Sequence, residues 1–143
     1  MTMEERPRVL IVDDEPRAAQ SLERLVRRYF DVDVATSGEE ALEKLERFDP
    51  DVVITDCRMA KLSGTDLLRL VRKRCPAALR MLMSAWAELD VVETAIRDNT
   101  ANRYLAKPFA ASDLLGTIRD LLDERTLRRH FDSIEPDSEA VKL

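Results

Sequence analysis

The chain has 143 residues, 45% hydrophobic and 36% charged, with 28 acidic against 23 basic side chains and a net charge of −5. That length suits one domain with a proper core, and the acidic balance argues against a general nucleic-acid binder. No apolar run approaches the ~18 residues of a membrane span, the charged start Met1 to Arg8 has no signal-peptide core, and Cys57 and Cys75 form no C-x-x-C pattern; together these predict a cytoplasmic protein without a disulfide.

Arg8-Val9-Leu10-Ile11-Val12 is an apolar run that stops in Asp13-Asp14-Glu15-Pro16. It reads as a first strand, an acidic turn, and a proline in the first turn of a helix. Ala18, Leu22, Leu25, Val26 and Tyr29 follow at helical spacing. Val32 to Ala35 alternates as a second strand. Ser37-Gly38-Glu39-Glu40 is a capping box, opening a helix with Ala41, Leu42, Leu45 and Phe48 inward and Asp49-Pro50 at its end. Val52-Val53-Ile54-Thr55 is a third strand running into Asp56, and Gly64 stands where the next helix begins, with Leu67, Leu68, Leu70 and Val71 upon it. Pro76 stops that helix. Arg80 to Ser84 is a fourth strand, and Leu89 to Asp98 a helix with Val92, Ala95 and Ile96 inward. Arg103 to Ala106 is a short fifth strand ending in Lys107-Pro108, and Ser112 is the expected cap of a last helix through Leu114, Leu115, Ile118, Leu121 and Leu122.

Strand and helix alternate five times, which predicts an α/β fold: a doubly wound, five-stranded parallel sheet. Strands one, three and four are the most uniformly apolar and belong in the middle; strands two and five are shorter, carry Asp33 and Arg103, and belong at the edges. The order 2-1-3-4-5, one of the two common doubly wound arrangements, satisfies this. Residues 1–7 read as an N-terminal extension, 8–123 as the domain, and 124–143 as a charged extension, helical through Leu127 and Phe131 and then frayed.

The carboxyl ends of parallel strands lie on one edge, where open α/β sheets bind ligands. Here those ends carry Asp13 and Asp14, Asp56, Ser84 and Lys107. Each alone has an ordinary explanation: a lone aspartate caps a turn, an acidic pair opens a helix, a serine sits in a loop. Together they place three mutually repelling carboxylates at the switch point, where all-oxygen ligands suit Mg²⁺. A hydroxyl and an ammonium beside them suit the oxygens of a phosphoryl group received by Asp56. Crowding these charges costs stability, so Asp56→Asn is expected to melt higher than the native chain when metal is absent.

Val12-Asp13-Asp14-Glu15, Asp56 with Met59 and Gly64 after it, Ser84-Ala85, and Tyr104-Leu105-Ala106-Lys107-Pro108-Phe109 resemble the receiver domain of a bacterial two-component response regulator, over roughly Arg8 to Asp123. The resemblance implies a flavodoxin-like receiver fold with Asp56 as phosphoacceptor. Mg²⁺ would be held by Asp14, Asp56 and the backbone carbonyl of Arg58, with Asp13 acting through water. Ser84 and Lys107 would contact the phosphoryl group. Tyr104 would be the switch aromatic, Lys107-Pro108 a cis peptide, and Arg58 and Trp86 would flank the path of hydrolytic water. The donor would be a histidine kinase or histidine phosphotransfer protein. Output would pass to a downstream protein, to a fused effector domain, or into a homodimer built on the fourth helix, fifth strand and last helix. Catalysis would be limited to the chain's own phosphoryl transfer and dephosphorylation, with neither membrane attachment nor direct nucleic-acid binding; the residues beyond the fold are too few for a DNA-binding module.

Two departures from the family pattern stand out: Ala60 occupies a position usually held by proline, and Thr100-Ala101 replaces a Gly-Ala pair. Two rivals come from other classes. A dehalogenase-like hydrolase would repeat an aspartate at position 58, which is Arg58, and an FMN module would want small hydroxyl and glycine residues in place of Asp13-Asp14. His130 reads as a solvated side chain, and Cys57 as a packing residue pointing away from its neighbours.

Overall fold

The structure, a computed structural model, describes residues 6–133. Five strands, β1 (Arg8–Val12), β2 (Asp31–Ala35), β3 (Val52–Asp56), β4 (Leu79–Ser84) and β5 (Arg103–Ala106), alternate with five helices, α1 (Pro16–Val26), α2 (Gly38–Phe48), α3 (Gly64–Arg74), α4 (Leu89–Arg97) and α5 (Ala111–Ser133). The strands are all parallel in the order β2-β1-β3-β4-β5, as the apolar and wetter strands predict. Among the described residues no helix is long and apolar enough to cross a membrane.

The period-two geometry of the strands divides the core into two layers. Leu10, Val12, Val53 and Leu82 face one side and pack with Ala41 and Leu45 of α2, Leu67, Leu68 and Val71 of α3, and Val92 and Ala95 of α4. Val9, Ile11, Val52, Ile54, Met81 and Met83 face the other and pack with Val26 and Phe30 and with Leu114, Ile118 and Leu121 of α5. Each buried Val, Leu, Ile, Met or Phe among these contributes about 1.5–3 kcal/mol by leaving water, and β1, β3 and β4 supply such residues to both layers.

Helix ends follow local chemistry, with some shifts from expectation. Ser37 accepts from the Glu40 N–H at 3.0 Å, but the Glu40 carboxylate reaches one residue further back than a capping box predicts, to the Thr36 N–H at 2.6 Å. Asp49 ends α2 with φ 52°, a left-handed conformation that aspartate tolerates and that avoids the right-handed region disfavoured before Pro50. Ser112 is not a cap: α5 starts at Ala111, and the Asp113 carboxylate accepts from the Ala110 N–H at 3.1 Å. Because α1 ends at Val26, Tyr29 is not on its inner stripe; it is exposed, with the Arg119 guanidinium 5.0 Å from its ring, and Phe30 takes the buried place. Ala19 rather than Ala18 is the fully buried alanine of α1, and Ile96 is exposed while Val92 and Ala95 are not.

Past residue 123, α5 continues without a break to Ser133 and leaves Leu127 and Phe131 exposed. Arg125 fastens it to the sheet, its guanidinium 2.9 Å from Asp51 Oδ1 at the start of β3, and Glu124 pairs with Arg103 of β5. The expected N-terminal extension up to residue 5, and the frayed end from 134 onward, lie outside the described residues.

Candidate functional site

The parallel register carries the acidic ends to one edge. Val12 is aligned with Thr55, and Asp56 with Met83, so β1 hands Asp13 and Asp14 to the crevice beside Asp56 while β4 ends one residue later at Ser84. A carboxylate oxygen from each of Asp13, Asp14 and Asp56 lies within 4.8 Å of the other two. Like charges at that separation cost about 1 kcal/mol per pair even at the dielectric of water, and more in a partly buried site. Among the described residues a cation answers them: Lys107 Nζ is 3.1 Å from Asp56 Oδ1.

Backbone contacts fix these side chains. The Cys57 N–H donates to the Met83 carbonyl and the Lys107 N–H to the Ser84 carbonyl, both at 2.8 Å, prolonging the β3–β4–β5 ladder past the strand ends. Lys107-Pro108 is a cis peptide. Gly64 is required by close approach: a Cβ there would sit 2.1 Å from the carbonyl oxygen of Asp56. Asp13 is 3% exposed and accepts from the Glu15 N–H at 3.0 Å. Burial raises its pKa above the usual aspartate value and the charges of Asp56 and Asp14 add to this, against the Glu15 N–H and the Lys107 ammonium.

Asp14 is exposed and accepts from the Ala60 N–H at 3.2 Å. This gives the first departure a physical meaning, because a proline at position 60 has no N–H to offer. The second departure forms a tight connection. Asn99 adopts φ 64°, and the N–H groups of Thr100 and Ala101 both donate to the Ala95 carbonyl. Arg80, 4% exposed in β4, then donates to the Thr100, Asn99 and Ala78 carbonyls at 2.9, 3.1 and 3.0 Å. Burial, and secondarily the charge of Arg72, lowers its pKa.

Ser84 is buried at the end of β4. Tyr104, aligned with Leu82, is 43% exposed, so its ring is outside the acidic crevice. The Arg58 side chain is exposed and pairs with Glu88, Nε to Oε2 at 3.4 Å. Cys57 is buried, and its thiol is pushed up to about 11 by burial, then by the charges of Glu88 and Asp56; this suits packing. His130 is exposed, edge-on to Phe131 at 6.0 Å between ring centroids. Sequence reasoning missed Glu88 and Arg80. The spacing of Ala85 and Glu88, three residues apart after a strand, is the one signal that points to the first.

An acidic crevice at the switch point of a doubly wound parallel sheet, with a lysine on the central aspartate, defines an α/β domain with its charged site at the carboxyl ends of the strands. The chain belongs to the response regulator receiver domain family, whose profile matches residues 9–119. It is 37% identical over 113 residues to the transcriptional regulatory protein PdtaR of Mycobacterium tuberculosis, covering 78% of this chain and 54% of that protein. It is 30% identical over 120 residues to the hydrogenase transcriptional regulatory protein HoxA of Cupriavidus necator, covering 84% of this chain and 25% of that one. The chain thus spans between a quarter and about half the length of these relatives. Among solved structures, a response regulator receiver domain protein from Clostridium thermocellum superposes with a TM-score of 0.80 at 32% identity, covering 85% of this chain and 98% of that one. A CheY-like receiver domain protein from Methanospirillum hungatei does so with a TM-score of 0.80 at 26% identity, covering 87% and 99%. Receiver domains are signalling domains of two-component systems, and this membership stands against both the hydrolase and the flavin-module readings.

Proposed function

We propose that Asp56 is the phosphoacceptor of a two-component switch. The Lys107 ammonium at 3.1 Å from Asp56 Oδ1, beside two further carboxylates, carries this reading. A carboxylate oxygen of Asp56 attacks the phosphorus of a phosphohistidine on a histidine kinase or phosphotransfer protein. The P–N bond breaks, the imidazole leaves with the electron pair, and an aspartyl phosphate remains. Lys107 and the Ser84 hydroxyl hold the phosphoryl oxygens.

Asp13, Asp14, Asp56 and the backbone carbonyl of Arg58 would hold Mg²⁺, and the three clustered carboxylates are the hard oxygen donors that ion prefers. The bound ion supplies neutralising charge for the phosphoryl oxygens. Phosphorylation draws Ser84 toward the site, and Tyr104 turns inward into the space vacated, biasing a two-state face built from α4, β5 and α5. Residues 8–123 form the receiver unit, and 124–143 form an extension through which a downstream protein or a fused effector is reached; the same face serves a homodimer. The chain acts in the cytoplasm, turns over no separate substrate, and binds neither membrane nor nucleic acid directly.

Incubation with Mg²⁺ and acetyl phosphate, followed by intact mass, tests this. One phosphoryl group is gained by the native chain and none by Asp56→Asn; equal labelling of both removes the assignment.

A further inference from the structure

Glu88 is a buried carboxylate that the reading above leaves without a role. It is 8% exposed and ends the single helical turn Trp86–Glu88, which begins directly after Ser84-Ala85. Its Oε1 accepts from the Ala85 N–H at 2.7 Å, and its Oε2 lies 3.4 Å from Arg58 Nε. Arg58 belongs to the loop that leaves Asp56, and its side chain is otherwise 82% exposed. One carboxylate therefore ties together the two loops that leave β3 and β4 at the mouth of the acidic crevice. It lies deep enough for its charge to act on the Cys57 thiol more strongly than that of Asp56 does.

Closing the turn accounts for the bond to the Ala85 N–H, whereas the Arg58 side chain, exposed to water, adds little to stability by pairing with Glu88. The groups that Glu88 holds are informative: a backbone N–H next to Ser84 and a guanidinium two residues from Asp56 are both donors that anionic phosphoryl oxygens take. We propose that Glu88 is a positioning residue that stands in for the phosphoryl group in the unphosphorylated protein, occupying the Ala85 N–H and the Arg58 guanidinium until an aspartyl phosphate competes for them. The proposal rests on Asp56 being the acceptor. A phosphoryl group on Asp56 adds negative charge close to Glu88 and draws the same donors, so the carboxylate is displaced. The turn bearing Trp86 and the start of α4 are released with it. Glu88 thereby reduces the apparent affinity for the phosphoryl group by the fraction of molecules in which it holds the donors.

The test uses the full chain, with beryllofluoride in excess Mg²⁺ as phosphoryl mimic and binding read by calorimetry and by Trp86 emission. Glu88→Gln keeps an oxygen for the Ala85 N–H and loses the charge. It should bind the mimic about tenfold more tightly, a difference of about 1.4 kcal/mol, while Mg²⁺ affinity without fluoride stays within about twofold. In an Arg58→Ala background the gain from Glu88→Gln should shrink at least threefold, as coupling through Arg58 requires. Glu88→Asp, which keeps the charge but shortens the arm, should fall between the native chain and Glu88→Gln; it serves as the independent variant if the glutamine protein folds poorly. Affinity in Glu88→Gln within twofold of native, or the same gain with and without Arg58, overturns the proposal and leaves the acceptor assignment standing. Failure of the native chain to bind the mimic overturns both.

Discussion

Lys107 places its ammonium 3.1 Å from Asp56 Oδ1, and neither side chain is fully buried. Partial exposure limits what this pair gives the fold to about 1 kcal/mol or less. Its larger effect is on the anion that Asp56 is proposed to carry. Lys107→Gln should therefore move the melting temperature by only a few degrees while weakening beryllofluoride binding at least tenfold. Calorimetry in Mg²⁺ checks this, and undiminished affinity would remove Lys107 from the site.

The same pair relocates the strain. Asp56 has a cation beside it, so Asp56→Asn strands Lys107 as well as relieving repulsion, and the rise in stability expected from sequence for that variant is offset. Asp13 is the better position. Its carboxyl is held above its ordinary pKa by burial first and by Asp56 and Asp14 after that. The folded state therefore binds that proton more tightly than the unfolded chain, and stability falls as pH rises from the ordinary aspartate value through the raised folded one. Asp13→Asn should melt higher than native at pH 7 in EDTA, and the advantage should vanish as pH drops below the usual aspartate range. Saturating Mg²⁺ should narrow or reverse the order, because the native chain gains binding energy. Thermal melts over pH with and without Mg²⁺ decide it.

Ala60 offers a test of the loop. Its N–H fixes the Asp14 carboxylate at 3.2 Å. Ala60→Pro deletes that donor and restores the residue type usual in the family. The bond is exposed, so stability should change by under about 1 kcal/mol. Mg²⁺ affinity should rise severalfold, since Asp14 no longer has a competing partner. A titration showing unchanged affinity would mean that this bond does not compete with metal.

Arg80→Met keeps an apolar stem in β4 and removes the guanidinium from three backbone carbonyls. Leaving buried acceptors unpaired costs about 1–3 kcal/mol. Hydrogen exchange should rise most at Thr100 and Ala101, whose N–H groups close the turn after α4. Uniform exchange across the domain would show that Arg80 supports the fold generally and not this connection.

Much of this molecule was legible in the order of its residues. The apolarity of Val9 to Val12, Val52 to Ile54 and Met81 to Met83 marked the central strands, and the carboxyl edge of the sheet gathered Asp13, Asp14, Asp56 and, from the end of β5, Lys107. Less was legible where a side chain bonds to backbone. Arg80 breaks an apolar strand, and two of its three partners, the Asn99 and Thr100 carbonyls, become available only once the chain has turned at Asn99. Glu88 depends likewise on the short turn after Ser84. Ser112 misled because hydroxyls signal helix starts only statistically, and Asp113 was the better acceptor for Ala110.

The clasp between Asp51 and Arg125 has a mechanical consequence. Asp51 accepts the Arg8 N–H at 2.8 Å with one carboxylate oxygen and the Arg125 guanidinium at 2.9 Å with the other. It sits at the foot of the strand whose head is Asp56, five residues or about 17 Å away. From Arg125 to Ser133 the helix runs about 12 Å further. That outer length is a shaft seated in a bearing, and the bearing adjoins the first residue of β3. Anything that grips Leu127 or Phe131 is levered against the foot of β3 through Arg125, the same strand whose far end carries the proposed acceptor Asp56.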